Sequence, residues 1–228
     1  MSNNTKWLAS VQSLEEAQSL NACLPDILDM KQPAKGALGA LPVDMVEDIV
    51  KWVSGRCVTS ATIGDLPMQF DVIEPAIMNM AGTGVDYVKI GLFGGEEQTE
   101  CLQALTPVIK QLTTPVIAVI FADRNYETGV IEQVLKAGFS GVMVDTAEKN
   151  ARSLLDLWSI DALTAFVNTV KNAESLCGLA GALRIEDIAT LRALKPDYLG
   201  FRSALCPERR RNASLSATLA QTIASELE

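Results

Sequence analysis

The stretch ILDMKQPAKGALGAL, Ile27–Leu41, decides the fold. Ile27 and Leu28 open a short apolar run of the kind that forms a buried strand, and the run ends in Asp29 and Lys31. Side chains two apart on a strand share a face, so a carboxylate and an amine project together from the strand's tip. Pro33, Lys35, Gly36, Gly39 and Pro42 then predict a flexible, cationic loop. Apolar residues at helical spacing resume at Val43 and run to Val53. The whole is a β–loop–α unit with charge at the strand's end. An unpaired charge there is costly, so Asp29 and Lys31 are either a salt bridge or a catalytic lysine with its partner.

The same unit recurs in both directions along the chain. Strands are predicted at 6–11, 27–30, 57–63, 87–90, 115–121, 141–144, 176–180 and 198–201. Helices are predicted after a Ser13 cap and over 43–53, 70–81, 97–112, 128–136, 161–172, 185–194 and 214–227. Eight buried strands alternating with eight helices over 228 residues fit an α/β fold, a (β/α)8 TIM barrel forming a single domain over residues 1–228. An open doubly wound sheet is the rival. No G-x-G-x-x-G follows a strand, and the first turn, Val11-Gln12-Ser13, has no glycine.

Composition narrows the chemistry. The net charge of −9 argues against a nucleic-acid partner. The start MSNNTKWLAS lacks a signal peptide's apolar run, and the longest apolar stretch, Val116–Ala122, is too short to span a bilayer. A cytoplasmic protein with no membrane partner is expected, and a homo-oligomer is left open. Cysteines 23, 57, 101, 177 and 206 are odd in number and form no C-x-x-C, so they read as reduced thiols. The chain has no histidine. That removes Ser-His-Asp and Cys-His catalysis and the usual zinc sites. No metal is expected, and lysine, aspartate, glutamate, tyrosine and cysteine are left to carry any chemistry.

In a (β/α)8 barrel the C-terminal ends of the strands and the loops after them form the active face. Those positions hold Asp29 and Lys31, Thr62 and Asp65, Lys89 with Tyr87 on its face, Asp123 and Arg124, and Asp145 with Lys149 beyond it. Taken singly, Lys89 reads equally as a snorkelling lysine and Asp145 as a turn residue. Taken together, three lysines and at least two aspartates at like-sided strand ends are too many charges to bury for stability alone. Gly181 with Arg184, and Gly200-Phe201-Arg202-Ser203, follow strands seven and eight, this fold's usual phosphate corner. Gly181, Arg184, Arg202 and Ser203 are therefore expected to bind phosphate, against the plainer reading that Arg184 pairs with Glu186 or Asp187. The run Arg209-Arg210-Arg211 reads as a solvated face.

These motifs resemble a known family. LASV (8–11), DMKQPAKGALGALP (29–42), SATIGDLP (60–67), GVDYVKIGLFG (84–94), GVMVDTAEKN (141–150), GLAGALRIEDI (178–188) and PDYLGFRSALC (196–206) resemble the (5-formylfuran-3-yl)methyl phosphate synthases of methanofuran biosynthesis. The resemblance runs in order along nearly the whole chain. It implies a (β/α)8 barrel that condenses two molecules of glyceraldehyde 3-phosphate through a lysine Schiff base and eliminates one phosphate. It implies no cofactor. Lys31 would be the imine lysine, with Asp29, Lys89, Asp145 and Lys149 as the other catalytic groups.

The residues themselves agree. Without histidine, carbon–carbon bond formation between triose phosphates is best run by an imine. An unperturbed lysine is neutral at pH 7 in only about one molecule in two thousand, so its pKa must fall. Lys89 and Lys149 would lower the pKa of Lys31, and Asp29 would raise it unless paired with another lysine. Two alternatives stand. Asp29-x-Lys31 is similar to the D-x-K of phosphosugar decarboxylase and epimerase barrels, but those place an aspartate three residues beyond the lysine, where this chain has Ala34. The other is a non-catalytic phosphometabolite-binding protein.

Overall fold

The computed structural model describes residues 5–95, 97–148 and 152–227. Eight parallel strands close in chain order into a barrel: β1 (Lys6–Val11), β2 (Ile27–Met30), β3 (Val58–Thr62), β4 (Tyr87–Gly91), β5 (Val116–Phe121), β6 (Gly141–Asp145), β7 (Leu176–Leu179) and β8 (Tyr198–Phe201). β8 pairs with β1, Tyr198 beside Lys6 and Phe201 beside Ala9, which removes any free edge. The intervening helices are α1 (Leu14–Ser19), α2 (Val43–Val53), α3 (Phe70–Ala81), α4 (Gln98–Gln111), α5 (Val130–Lys136), α6 (Leu154–Leu157), α7 (Ile160–Asn172), α8 (Ile188–Arg192) and α9 (Ala217–Leu227). The short α6, in the loop after β6, is one helix more than the periodicity predicts. Ser153 and Asp156 close a capping box that starts it.

Local sequence explains the elements. Val46, Ile49 and Val53 recur at helical spacing on α2 and are buried against the barrel, and Ser54 ends the helix in the left-handed conformation. Ser13 caps α1, its Oγ accepting the Glu16 N–H at 3.2 Å. One aspartate device recurs at the barrel's lower rim. Asp26, Asp86 and Asp197 each stand just before an even-numbered strand. Their carboxylates accept the N–H of Trp7, Thr59 and Cys177 on the preceding strand. Each contact fixes the register of a neighbouring strand pair at its start.

Two apolar cores result. The larger lies between the strands' outer faces and the helices. The smaller fills the barrel with Leu8, Ile117, Val119, Phe121, Met143 and Tyr198. Gly178 makes room for the last of these, since a Cβ there would lie 2.3 Å from the Tyr198 ring.

The loop after β2 departs from its sequence expectation. It carries a 3₁₀ turn at Pro33–Lys35, and Ala37 and Leu38 sit in the barrel's inner core at 1% exposure each. Asp65 does this: its carboxylate accepts the N–H of Ala37 at 2.9 Å and of Leu38 at 2.7 Å. Gly36 permits the close approach at φ +122°, where a Cβ would lie 2.0 Å from the Asp65 carboxylate. Leu38 thereby plugs the upper mouth on the β4 side, and Phe93 stacks on Phe121 beside it at 4.6 Å. What stays open lies over β1, β2 and β6–β8.

Candidate active site

Alternation along the strands aims a set of polar side chains inward. Ser10 on β1, Asp29 on β2, Ser60 on β3 and Lys89 on β4 meet inside the barrel. Asp29 is fully buried. Its Oδ1 takes Lys89 Nζ at 2.7 Å and Ser60 Oγ at 2.6 Å, and its Oδ2 takes Ser10 Oγ at 3.0 Å. Lys89, 1% exposed, also touches the Met143 sulfur at 4.0 Å. One step higher, Lys31 and Asp145 face each other at 3.5 Å, and the Asp145 carboxylate accepts the Thr146 N–H at 2.7 Å.

The pairing is therefore crosswise. Asp29 and Lys31, two residues apart on one strand tip, do not pair with each other; each pairs with a residue from another strand. Lys31 differs from Lys89 in access, because it lines the cavity above and Lys89 does not. Burial is the first cause of a lowered Lys31 pKa. The charges of Asp145 and Asp29 oppose it, and those of Lys89 and Arg211 add to it. Desolvation, rather than a neighbouring ammonium, thus leads. Lys149 lies outside the described residues.

The cavity holds about 640 Å³ and is lined by Lys31, Asp145, Gly181, Ser203 and the run Arg209–Arg211 among others. Gly181 and Ser203 stand where the sequence reading put them, at the mouth after β7 and β8. Arg202 belongs to the same lining, with its guanidinium engaged by the protein, and Arg184 lies outside it. Arg202 is turned into the protein at 7% exposure. Its Nε donates to Arg211 O, Nη1 to Ser10 O and Glu16 Oε2, and Nη2 to Glu16 Oε1 and Ala213 O. All five guanidinium donors are used inside the chain, so Arg202 clamps the β8 loop to α1 and leaves nothing for a phosphate. Arg184 is engaged elsewhere. Its side chain meets Asp156 of α6 at 3.5 Å, outside the cavity, and its backbone N–H goes to Asp187.

The other strand-end residues serve as struts. Thr62 Oγ1 donates to Gly39 O, and the Asp123 carboxylate accepts the N–H of Ala147 and Glu148. Tyr87 faces inward like Lys89 but lines the opposite mouth. The sequence reading missed Ser10, Ser60 and Arg211. A polar residue at an inward position of a buried strand signals the two serines. Nothing local signals Arg211.

Buried charged pairs at the C-terminal end of a closed parallel barrel, under a cavity rich in arginine, define an enzyme of the (β/α)8-barrel class. Comparison with known proteins supports the class. The barrel superposes on phosphoribosyl anthranilate isomerase from Thermus thermophilus with a TM-score of 0.68, covering 97% of this chain and 98% of that one, at 15% identity, a likeness of fold. In sequence, the chain is 39% identical over 219 residues to a Methylorubrum extorquens protein provisionally named (5-formylfuran-3-yl)methyl phosphate synthase, covering 96% of this chain and 90% of that one. It is 32% identical over 216 residues to the (5-formylfuran-3-yl)methyl phosphate synthase of Methanocaldococcus jannaschii, covering 90% and 92%. The model of the 4-HFC-P synthase family matches residues 7–224. The chain belongs to the 4-HFC-P synthase family. Among the described residues, no helix is long and apolar enough to cross a membrane.

Proposed function

We propose that this protein condenses two molecules of glyceraldehyde 3-phosphate through a Lys31 imine, losing phosphate and water, to give (5-formylfuran-3-yl)methyl phosphate for a methanofuran-type carrier. Family membership and the relatives' names support the product. The place of Lys31 carries the mechanism: it is the lysine among the described residues that lines the cavity, and burial favours its neutral form.

In this reading the Lys31 amine adds to the carbonyl of one triose phosphate and expels water. Asp145, 3.5 Å from Lys31 Nζ, moves protons at the reacting carbon. The enamine attacks the aldehyde of the second molecule, and elimination of phosphate, dehydration and ring closure follow, a class I aldolase-like lyase. Asp29 and Lys89, beneath Lys31, are a buried reservoir for those proton transfers, with Lys149 as a further group. Gly181 and Ser203 hold one substrate phosphate at the mouth. The protein works in the cytoplasm as a single barrel domain on small phosphorylated substrates. Incubation with glyceraldehyde 3-phosphate tests the reaction: a near-ultraviolet furan chromophore should grow in step with one inorganic phosphate per furan. No furan from glyceraldehyde 3-phosphate, together with carbon dioxide release from a phosphorylated sugar acid or epimerisation of a pentulose phosphate, would assign the barrel to the decarboxylase or epimerase class instead.

A further inference from the structure

The three arginines after β8 are not equivalent. Arg210 pairs outward with Glu208 at 3.3 Å, and Arg209 donates to Ala182 O. Arg211 turns inward and is half-buried. Its Nη2 donates to Gly36 O at 2.9 Å, in the loop after β2, while its own carbonyl accepts Arg202 Nε at 2.7 Å. The Arg202–Glu16 clamp therefore holds its backbone, and the Asp65-pinned loop holds the tip of its side chain. Its Nε is buried and has no hydrogen-bond partner among the described residues. A guanidinium presents five donors in a rigid fork, and one is engaged here. The nearest carboxylates are already occupied: Asp65 by two backbone N–H groups and Asp145 by Lys31 and Thr146 N–H.

A fork held from both ends, lining the cavity that contains Lys31, with donors unused, is a site for a bidentate oxyanion. The corner at Gly181 and Ser203 accounts for one phosphate, and a condensation of two phosphorylated molecules brings another. We propose that Arg211 is the contact for that second phosphate, in a subsite at the seam between the β2 and β8 loops. The subsite rests on the reading that two triose phosphates occupy the cavity together.

Glycerol 3-phosphate probes it, since it carries the phosphate but no carbonyl and cannot form an imine. Titration calorimetry should give two molecules bound per wild-type chain. Arg211→Gln should weaken one of the two about 10–100-fold, the range of a charge-assisted contact, and leave the other unchanged. Arg211→Lys should keep part of the loss, because a point charge remains without the fork. Lys51→Gln removes the same formal charge from the exposed face of α2, away from the cavity, and should leave both sites intact. The proposal is overturned if Arg211→Gln binds two molecules at wild-type affinity, if Lys51→Gln weakens binding as much, or if the wild type binds fewer than two. Imine trapping separates the underlying reading: a wild type that traps no imine yet loses one anion site in Arg211→Gln keeps the subsite and sinks the condensation.

Discussion

Arg202→Ala should damage the fold before it damages substrate binding. The change strands the Glu16 carboxylate, 6% exposed, whose two oxygens take Arg202 at 2.6 and 3.2 Å. Breaking a buried pair by deleting one partner costs about 3–5 kcal/mol. The buried Ser10 carbonyl loses its guanidinium donor as well, worth about 1–3 kcal/mol if no water replaces it. The carbonyls of Arg211 and Ala213 lie nearer solvent and are re-satisfied more cheaply. These terms are not additive, and about 4–6 kcal/mol is the expected total. For a chain of this size that lowers Tm by roughly 10–20 °C and removes a large part of a stability of about 5–15 kcal/mol. Urea unfolding followed by circular dichroism measures it. Glu16→Leu with Arg202→Met should be less unstable than Arg202→Ala alone, because the double change leaves no orphaned charge. A folded Arg202→Ala protein with wild-type urea midpoint and a raised KM would refute the clamp and return Arg202 to the phosphate.

Two further outcomes follow from the same geometry. Borohydride trapping at Lys31 should quicken as pH rises through a lysine pKa below the ordinary value, because the neutral amine is the nucleophile. Asp145 holds that pKa up, so Asp145→Asn should move the rise to lower pH; a shift to higher pH contradicts the electrostatics. Gly36→Ala places a Cβ 2.0 Å from Asp65 at φ +122°, so it should expel the β2 loop from the mouth, cost about 1–3 kcal/mol and impair turnover. Unchanged stability and activity would mean that the Asp65 contacts do not hold the loop in place.

The fold was legible because each β–loop–α unit carries its own signals. Predicted and observed limits coincide for β1, β2, β8, α2 and α3, where apolar periodicity stops abruptly at a turn residue. The convergence of Asp29, Lys31, Lys89 and Asp145 was legible too, since strand alternation aims all four into one closed barrel. Their partners were not. Adjacent Asp29 and Lys31 invite pairing, but closure brings Lys89 closer to the first and Asp145 to the second. Arg202 sat at the phosphate corner by position alone. Its partner Glu16 is 186 residues away, and on the sequence Glu16 looked like a helix-dipole residue. The arginine run read as solvated because charge runs usually are; only the loop path turns Arg211 inward. The loop after β2 read as flexible from its glycines, yet Asp65, on the next strand's loop, supplies acceptors no local pattern predicts.

The central claim is the identity of the covalent residue. Sodium borohydride with glyceraldehyde 3-phosphate, followed by peptide mapping, addresses it directly. The reduced adduct should lie on Lys31, the lysine that lines the cavity. Lys31→Arg should abolish it while leaving the fold intact, because a guanidinium stays protonated. A borohydride-stable adduct on Lys89 in the wild-type enzyme would contradict the account: the sealed ion pair with Asp29 would then have to open, and Lys31 would be the cation that tunes it.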